Sequence, residues 1–329
     1  MSDSRGVLVI AETAAGAVTP LTFEAIGLAR RIAKTLRSEV AACVLSADGS
    51  AAAQQLLRQG ADAVYQVDAT DLADYQAEAW LPDVLAVNAR ARPGTVIAGH
   101  STIGADLAPR IAFRLGSAVV TACIEVEIRG DELHFTRQCY GGKANEVVSV
   151  STSPAVITIK AKSFEASTER TDGIGRIVAM KSTLDAQTIR TRLRARQGTN
   201  NEGVTLESAR RIVAGGGGMK GPQGFEMASQ LASLLGAAVG ASRVACDLGW
   251  CPPSYQIGLS GKTVAPELYL AIGISGTGQH MAGCANAKAI VAINTDRNAP
   301  IFRFAKYGIV QDCHELMPAL IEQLERRQK

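Results

Sequence analysis

The residues best suited to chemistry gather in "GISGTGQHMAG", Gly273 to Gly283, between the apolar runs "LYLAI" and "KAIVAIN". The stretch holds two hydroxyls, a glutamine and a histidine on a backbone kept open by glycines, which permit close approach to a ligand. Ser275, Gly276, Thr277 and Gly278 lead into a helix expected to begin near Gln279, where unpaired N–H groups and the positive end of the helix dipole would face an anion. His280 falls in the first helical turn, where it can donate to a ring carbonyl, although a lone histidine near a helix start is more often a solvated or structural residue. Asn294 closes the next strand-like run, and polar groups converging from several strand ends are what a pocket requires.

Three further segments carry candidate groups. Gly215 to Gly218 follow a strand and precede a helix, a context in which backbone N–H groups can cradle phosphate. Their spacing fits neither G-x-G-x-x-G nor the Walker A pattern, so a tight turn is an equal reading. "GASRVACD" sets Ser242 and Arg243 at the start of a strand-like run, the guanidinium suiting phosphate, an electron-rich ring or a structural ion pair. "GLSGKTVAPELY" offers Gly258, Leu259 and Ser260 in a turn that lacks the second glycine of a nucleophile elbow, leaving Ser260 as a hydrogen-bonding hydroxyl or a plain turn serine. No paired acid and base accompanies these motifs, so no catalytic residue is assigned. Seven cysteines form no Cys-x-x-Cys pair, several sit in apolar runs, and their odd number fits reduced thiols, with no metal centre expected.

The elements that must position these groups alternate between strand and helix. "GVLVIAE", "EVAACVL", "AVYQV" and "TVIAG" read as buried strands, with Ala25, Leu28, Ile32 and Leu36 at helical spacing behind Thr19-Pro20. "CIEVEI", "LHFTRQCY", "EVVSVST" and "AVITIK" are expected to add antiparallel strands to the same domain. From Glu165 to Gly203 the apolar rhythm fades, and Arg190, Arg192, Arg194 and Arg196 mark a solvated face or an acidic partner's contact. A boundary is expected near residues 198–206, separating an N-terminal α/β domain (1–200) from a C-terminal one (204–329). There the βα rhythm returns and ends in an amphipathic helix marked by Leu316, Leu320 and Leu324. The fold class is therefore α/β: two open, mainly parallel domains, the first with added antiparallel strands and the second Rossmann-like.

Composition narrows the function classes. A net charge of +3, with both signs interspersed, provides no field for nucleic acid or a membrane surface, and 5% aromatics leaves no stacking platform for single strands. No apolar run approaches the ~18 residues of a membrane span, and the N-terminus lacks a signal-like apolar core, so a cytoplasmic location is expected.

"LYLAIGISGTGQHMAGCANAKAIVAIN" followed by "APIFRFAKYGIVQD" closely resembles the C-terminal signature of the electron transfer flavoprotein alpha subunits. "VGASR" and "GLSGKTVAPELY" resemble their two preceding flavin-contacting segments, and "GHSTIGADLAPRIAFRLG" and "YGGKANEVVS" extend the likeness into the first half. The resemblance implies FAD bound in the C-terminal domain and a first domain with a nucleotide-hydrolase-like sheet contacting a beta subunit. It also implies an electron carrier without an organic substrate of its own, linking flavin dehydrogenase donors to a downstream oxidoreductase acceptor. By motif, Ser242 and Arg243 would touch the cofactor, with Ser260 beside Gly258 and Leu259 where the family's hydroxyl reaches flavin N5. Ser275 to His280, Gln279 included, would wrap the pyrophosphate and the pyrimidine side of the ring, with Asn294 and Asp312 at the adenosine half. Three positions depart from the family pattern: Gly217 replaces a common Arg, Leu259-Ser260 replaces Gln-Thr, and Gly278 replaces a branched apolar residue. The alternative is a nucleotide-binding structural or regulatory subunit with a degenerate flavin site.

Overall fold

The computed structural model describes residues 6–170, 175–185, 187, 189–191, 193–194, 206 and 209–328. Arg192 and Arg196 of the basic stretch, and all of residues 198–206 except Leu206, lie outside the described residues. The chain divides into two compact units, Met1–Cys139 with Asn145–Gln197, and Tyr140–Ala144 with Gly198–Lys329.

The first unit runs β1 (Val7–Ile10), a hairpin of β2 (Thr13–Ala14) and β3 (Ala17–Val18), α1 (Pro20–Leu36), β4 (Val40–Ser46), α2 (Ser50–Arg58), β5 (Ala63–Asp68) and α3 (Ala77–Ala91). It continues with β6 (Thr95–Gly99), α4 (Thr102–Arg114), β7 (Val119–Arg129), β8 (Glu132–Cys139), β9 (Ala144–Ser149), β10 (Ala155–Ile159) and β11 (Arg176–Met180). Its main sheet has the order β11-β5-β4-β1-β6-β10-β7-β8-β9. All four residues of β1 are buried, because the sheet is covered on both faces. Val7 and Val9 join a core with Ala25, Leu28 and Ile32 of α1, while Leu8 and Ile10 join a second with Trp80 and Val84 of α3. The strand period of two thus sorts alternate side chains onto opposite helical layers. At the start of α1 the Thr22 N–H donates to the Thr19 hydroxyl, and Pro20 occupies the first turn, where its missing N–H costs nothing.

Two expectations for this unit need correction. "AVITIK" is not an antiparallel addition: β10 lies between β6 and β7 and runs parallel to both. All five of its residues are buried, the signature of a central parallel strand. The antiparallel partner of β7 is β8, across the Gly130 turn. The second correction concerns Glu165 to Gly203, which contains β11, paired in parallel with β5. Its residues are exposed or half-buried, as befits an edge strand, and its apolar run, Ile177 to Met180, is short and isolated in a polar stretch.

The second unit contains β12 (Arg211–Gly215), α5 (Pro222–Leu235), β13 (Ala238–Ala241), α6 (Arg243–Asp247), β14 (Leu268–Ile272), α7 (Gly278–Met281), β15 (Ile290–Asn294), β16 (Tyr307–Val310) and α8 (Cys313–Gln328). Its sheet is parallel throughout, in the order β13-β12-β14-β15-β16. Phe225 and Leu231 of α5 and Met317 and Ile321 of α8 pack on Val213, Leu270 and Ile272. The other face carries Ile212, Tyr269 and Ala271 against Ile257, Met281 and Ile301. Leu316, Leu320 and Leu324 flank the buried stripe of α8 rather than forming its centre. The expected two-part α/β fold is borne out. Among the described residues no helix is long and apolar enough to cross a membrane.

Candidate functional site

In the second unit the chain steps from β12 to β13 on one side, then reaches β14 on the other. Crossovers that diverge in this way leave a crevice at the carboxyl ends of the strands. A cavity of about 660 Å³ opens there, within the range of small-molecule and cofactor sites. Every strand of the sheet contributes: Gly217 and Gly218 follow β12, Ser242 and Arg243 follow β13, Ser275 and Thr277 follow β14, Asn294 ends β15, and Asp312 follows β16. Gly258, Leu259 and Ser260 enter from the connection between β13 and β14, and Gln279 and His280 from α7.

The turns after β12 and β14 touch backbone to backbone. The Gly218 N–H donates to the Gly273 carbonyl at 2.9 Å, and a Cβ on Gly218 would come within 2.7 Å of the Gly273 Cα. Gly276 and Gly278 are the two predicted residues that do not border the cavity. Gly276 has φ +81°, and a Cβ there would strike the Ile301 backbone, so its role is to let the loop pack on the segment behind it.

Two local expectations change. Ser242 and Arg243 do not begin a strand: β13 ends at Ala241, Ser242 caps a helix and Arg243 is its first residue. The helix after Thr277 has only four residues, too few for a substantial summed dipole. Thr277 and Gln279 at its start border the cavity, and the first N–H groups of a helix lack intrahelical partners.

Several lining side chains are already engaged. Asn294 donates through Nδ2 to the Ile274 carbonyl at 3.0 Å and accepts the Asp296 N–H at 2.9 Å, so it holds the Ser275 loop in place. The Gln256 side-chain amide donates to the Ser260 hydroxyl at 2.9 Å. The Leu259 N–H donates to the Gln279 carbonyl at 2.7 Å, tying two of the motifs together. Arg243 pairs with Asp247 at 3.2 Å and Lys220 with Asp312 at 2.9 Å. The His314 N–H and Lys220 hold the Asp312 carboxyl below its ordinary range. Both ion pairs are exposed, so an anion in the cavity can compete for the cations at little cost.

His280 is the buried polar residue of the site. Its Nε2 lies 2.9 Å from the Tyr269 hydroxyl, while Nδ1 is buried without a hydrogen-bond partner. Burial pushes its pKa from 6.5 down to about 4, outweighing an opposing backbone contribution at Ile257. The ring is therefore neutral at pH 7. Burial also raises Tyr269 well above its usual range, keeping the phenol protonated.

The cavity also draws in Lys220, Val244, Gln256, Ile257, Thr295, Gln311 and Cys313, which motif reading passes over. Most adjoin a recognised position by one or two residues, so the signal was proximity to a strand end. Gly217, where the resemblance leads one to expect an Arg, lines the cavity in open space: a Cβ there would meet only Val244 Cγ1, at 3.8 Å.

Residues 7–185 match the family model described as the electron transfer flavoprotein domain, and residues 205–285 match the electron transfer flavoprotein FAD-binding domain. The chain is 40% identical to the electron transfer flavoprotein subunit alpha of Bacillus subtilis, over 98% of each chain. It is 33% identical to the protein of the same description from Megasphaera elsdenii, over 99% of this chain and 98% of that one. It is 32% identical to a lactate dehydrogenase (NAD(+),ferredoxin) subunit, LctC, of Acetobacterium woodii, over 98% of this chain and 77% of the relative.

Proposed function

Because the chain belongs to the electron transfer flavoprotein alpha-subunit family, a family of FAD-binding electron carriers that work with a beta subunit, we propose that the cavity at the carboxyl ends of β12 to β16 holds the FAD. When bound, FAD supplies a ring that accepts electrons singly or in pairs and returns them. The observation that carries this reading is the convergence of all five strand ends on one cavity beside a buried histidine whose Nδ1 has no partner. An orphaned buried donor costs stability unless something satisfies it, and a polar ring edge does so.

Each residue's contribution follows from its surroundings. In the arrangement we propose, the Tyr269 phenol donates to Nε2, which leaves the imidazole proton on Nδ1 and makes His280 a neutral donor for charge that develops beside it. The Thr277 and Gln279 N–H groups serve phosphate oxygens, and Asn294 keeps their loop in position. Arg243 and Lys220, both bordering the cavity, supply positive charge drawn from their present ion pairs. Ser260, oriented by Gln256, presents a hydroxyl to the ring.

We further infer that the chain acts as a carrier subunit without its own organic substrate, taking electrons from flavin dehydrogenases and passing them to a downstream oxidoreductase. The lining groups supply hydrogen bonds and charge rather than a paired acid and base, which supports this reading. The test is the visible spectrum of the purified heterodimer, followed by mixing with a reduced flavin dehydrogenase. A stoichiometric flavin band bleached by the dehydrogenase is expected; a colourless heterodimer would overturn the assignment.

A further inference from the structure

Cys246 and Cys251 place their sulfurs 3.5 Å apart beside the cavity, though nothing in their spacing marks them as a pair. The turn after α6 brings them together. The Gly249 N–H donates to the Cys246 carbonyl at 2.9 Å and the Trp250 N–H to the Ala245 carbonyl at 3.1 Å, with Gly249 at φ +71°. This Schellman closure folds the chain back over the last turn of α6 and sets Cys251 against Cys246. A disulfide requires a sulfur separation of about 2.05 Å, so closing the pair draws the atoms together by roughly 1.5 Å. The elements that must shift are a five-residue helix and its turn, not the sheet.

We propose that Cys246 and Cys251 form a redox-modification site, which closes to an intramolecular disulfide in the presence of a small organic disulfide and stiffens the rim of the cavity. The two sulfurs lie within hydrogen-bond reach, either one able to donate to the other, and Cys246 is taken as the attacking sulfur. Burial raises both thiols, Cys251 to about 12, so the exchange is slow at neutral pH. The Cys246 thiolate attacks one sulfur of the small disulfide, forming a mixed disulfide and expelling a thiolate that takes up the proton Cys246 lost. Cys251, deprotonated in turn, attacks the Cys246 sulfur and expels the second small thiolate, which takes up the Cys251 proton. Two protein thiols are oxidised and one small disulfide is reduced to two thiols.

The cross-link acts on the cavity through its neighbours. Ser242, Arg243 and Val244 border the cavity just before the pair, and Gln256 and Ile257 do so just after it. Tying α6 to the segment that leads to Gln256 removes freedom from this strap, so a cofactor beneath it leaves more slowly. That consequence rests on the FAD reading above; disulfide formation does not.

The test uses the flavin-loaded heterodimer, incubated with oxidised glutathione, alkylated and mapped by mass spectrometry. The expected result is a peptide spanning Cys246 and Cys251 that has lost two hydrogens, resists alkylation and is restored by dithiothreitol. In Cys251→Ser the mixed disulfide should instead persist at Cys246. Flavin release should slow several-fold on oxidation of the parent and not change in Cys246→Ala. Full alkylation of both cysteines, with glutathione confined to the more exposed Cys139, would overturn the site. A disulfide that forms without slowing flavin release would overturn its coupling to the cavity.

Discussion

The hydroxyl of Tyr269 on β14 lies 2.9 Å from Nε2 of His280 on α7, and both side chains are buried. The strand that leads into the cavity thereby orients the histidine that lines it. Where the neutral phenol donates to Nε2, the imidazole proton is left on Nδ1, facing away from Tyr269.

Tyr269→Phe removes that partner without changing the packing volume. A buried Nε2 left unsatisfied costs about 1–3 kcal/mol, so the variant should unfold at lower denaturant concentration. Its flavin should also be harder to reduce, because the tautomer is no longer enforced. Unchanged denaturant midpoint and flavin potential would show that the pair does not position His280.

His280 should also make stability depend on pH. Its folded pKa, about 4, lies below the ordinary 6.5. Between these values the unfolded chain binds a proton that the folded chain refuses, so the contribution is fully present above 6.5 and is lost as pH falls toward 4. The loss amounts to about 3 kcal/mol. The unfolding free energy of the parent should fall by about 2 kcal/mol more than that of His280→Gln between pH 7 and 4.5, where most of this loss occurs. Glu12, whose carboxyl is raised by burial, titrates in both proteins and cancels in the comparison. Parallel profiles would mean that His280 is not neutralised by burial.

Gly217→Arg tests the missing cation. Gly217 does not adopt a positive φ, and its Cβ direction is open except for Val244 Cγ1 at 3.8 Å, so the backbone accepts a side chain. A charge at ~4 Å and an effective dielectric near 20 interacts by about 4 kcal/mol before desolvation is subtracted. The first reduction potential of the flavin should therefore rise by tens of millivolts. An unchanged potential in a folded, flavin-loaded variant would show that this position does not face the ring.

Gly276→Ala should behave in the opposite way. Its φ of +81° and the Ile301 backbone behind it leave no room for a methyl group, so a loss of about 1–3 kcal/mol in stability is expected. Gly217→Ala should remain within about 0.5 kcal/mol of the parent. Thermal melts of the two variants, with flavin content measured alongside, check the contrast.

Much of this protein was legible from local pattern. The βα rhythm and the glycine-rich ends of "LYLAIGISGTG" identify a parallel sheet and the side on which a ligand binds, because strand period and turn chemistry are set by near neighbours in the chain. The same signals picked out Ser242, Ser260, His280 and Asn294, and the family resemblance added Asp312, all of which border one cavity. Only the tertiary structure decided the rest. Tyr269 reads as an apolar strand residue until α7 sets His280 against it, and Asn294 reads as a ligand contact until its amide is found clamping Ile274. Cys246 and Cys251 have no motif spacing and become neighbours through a helix-terminating turn. β10 looks like its antiparallel predecessors, yet it inserts between β6 and β7 because a strand apolar on both faces must be covered on both. These relationships join residues whose local sequence carries no information about their partner, and packing alone determines them.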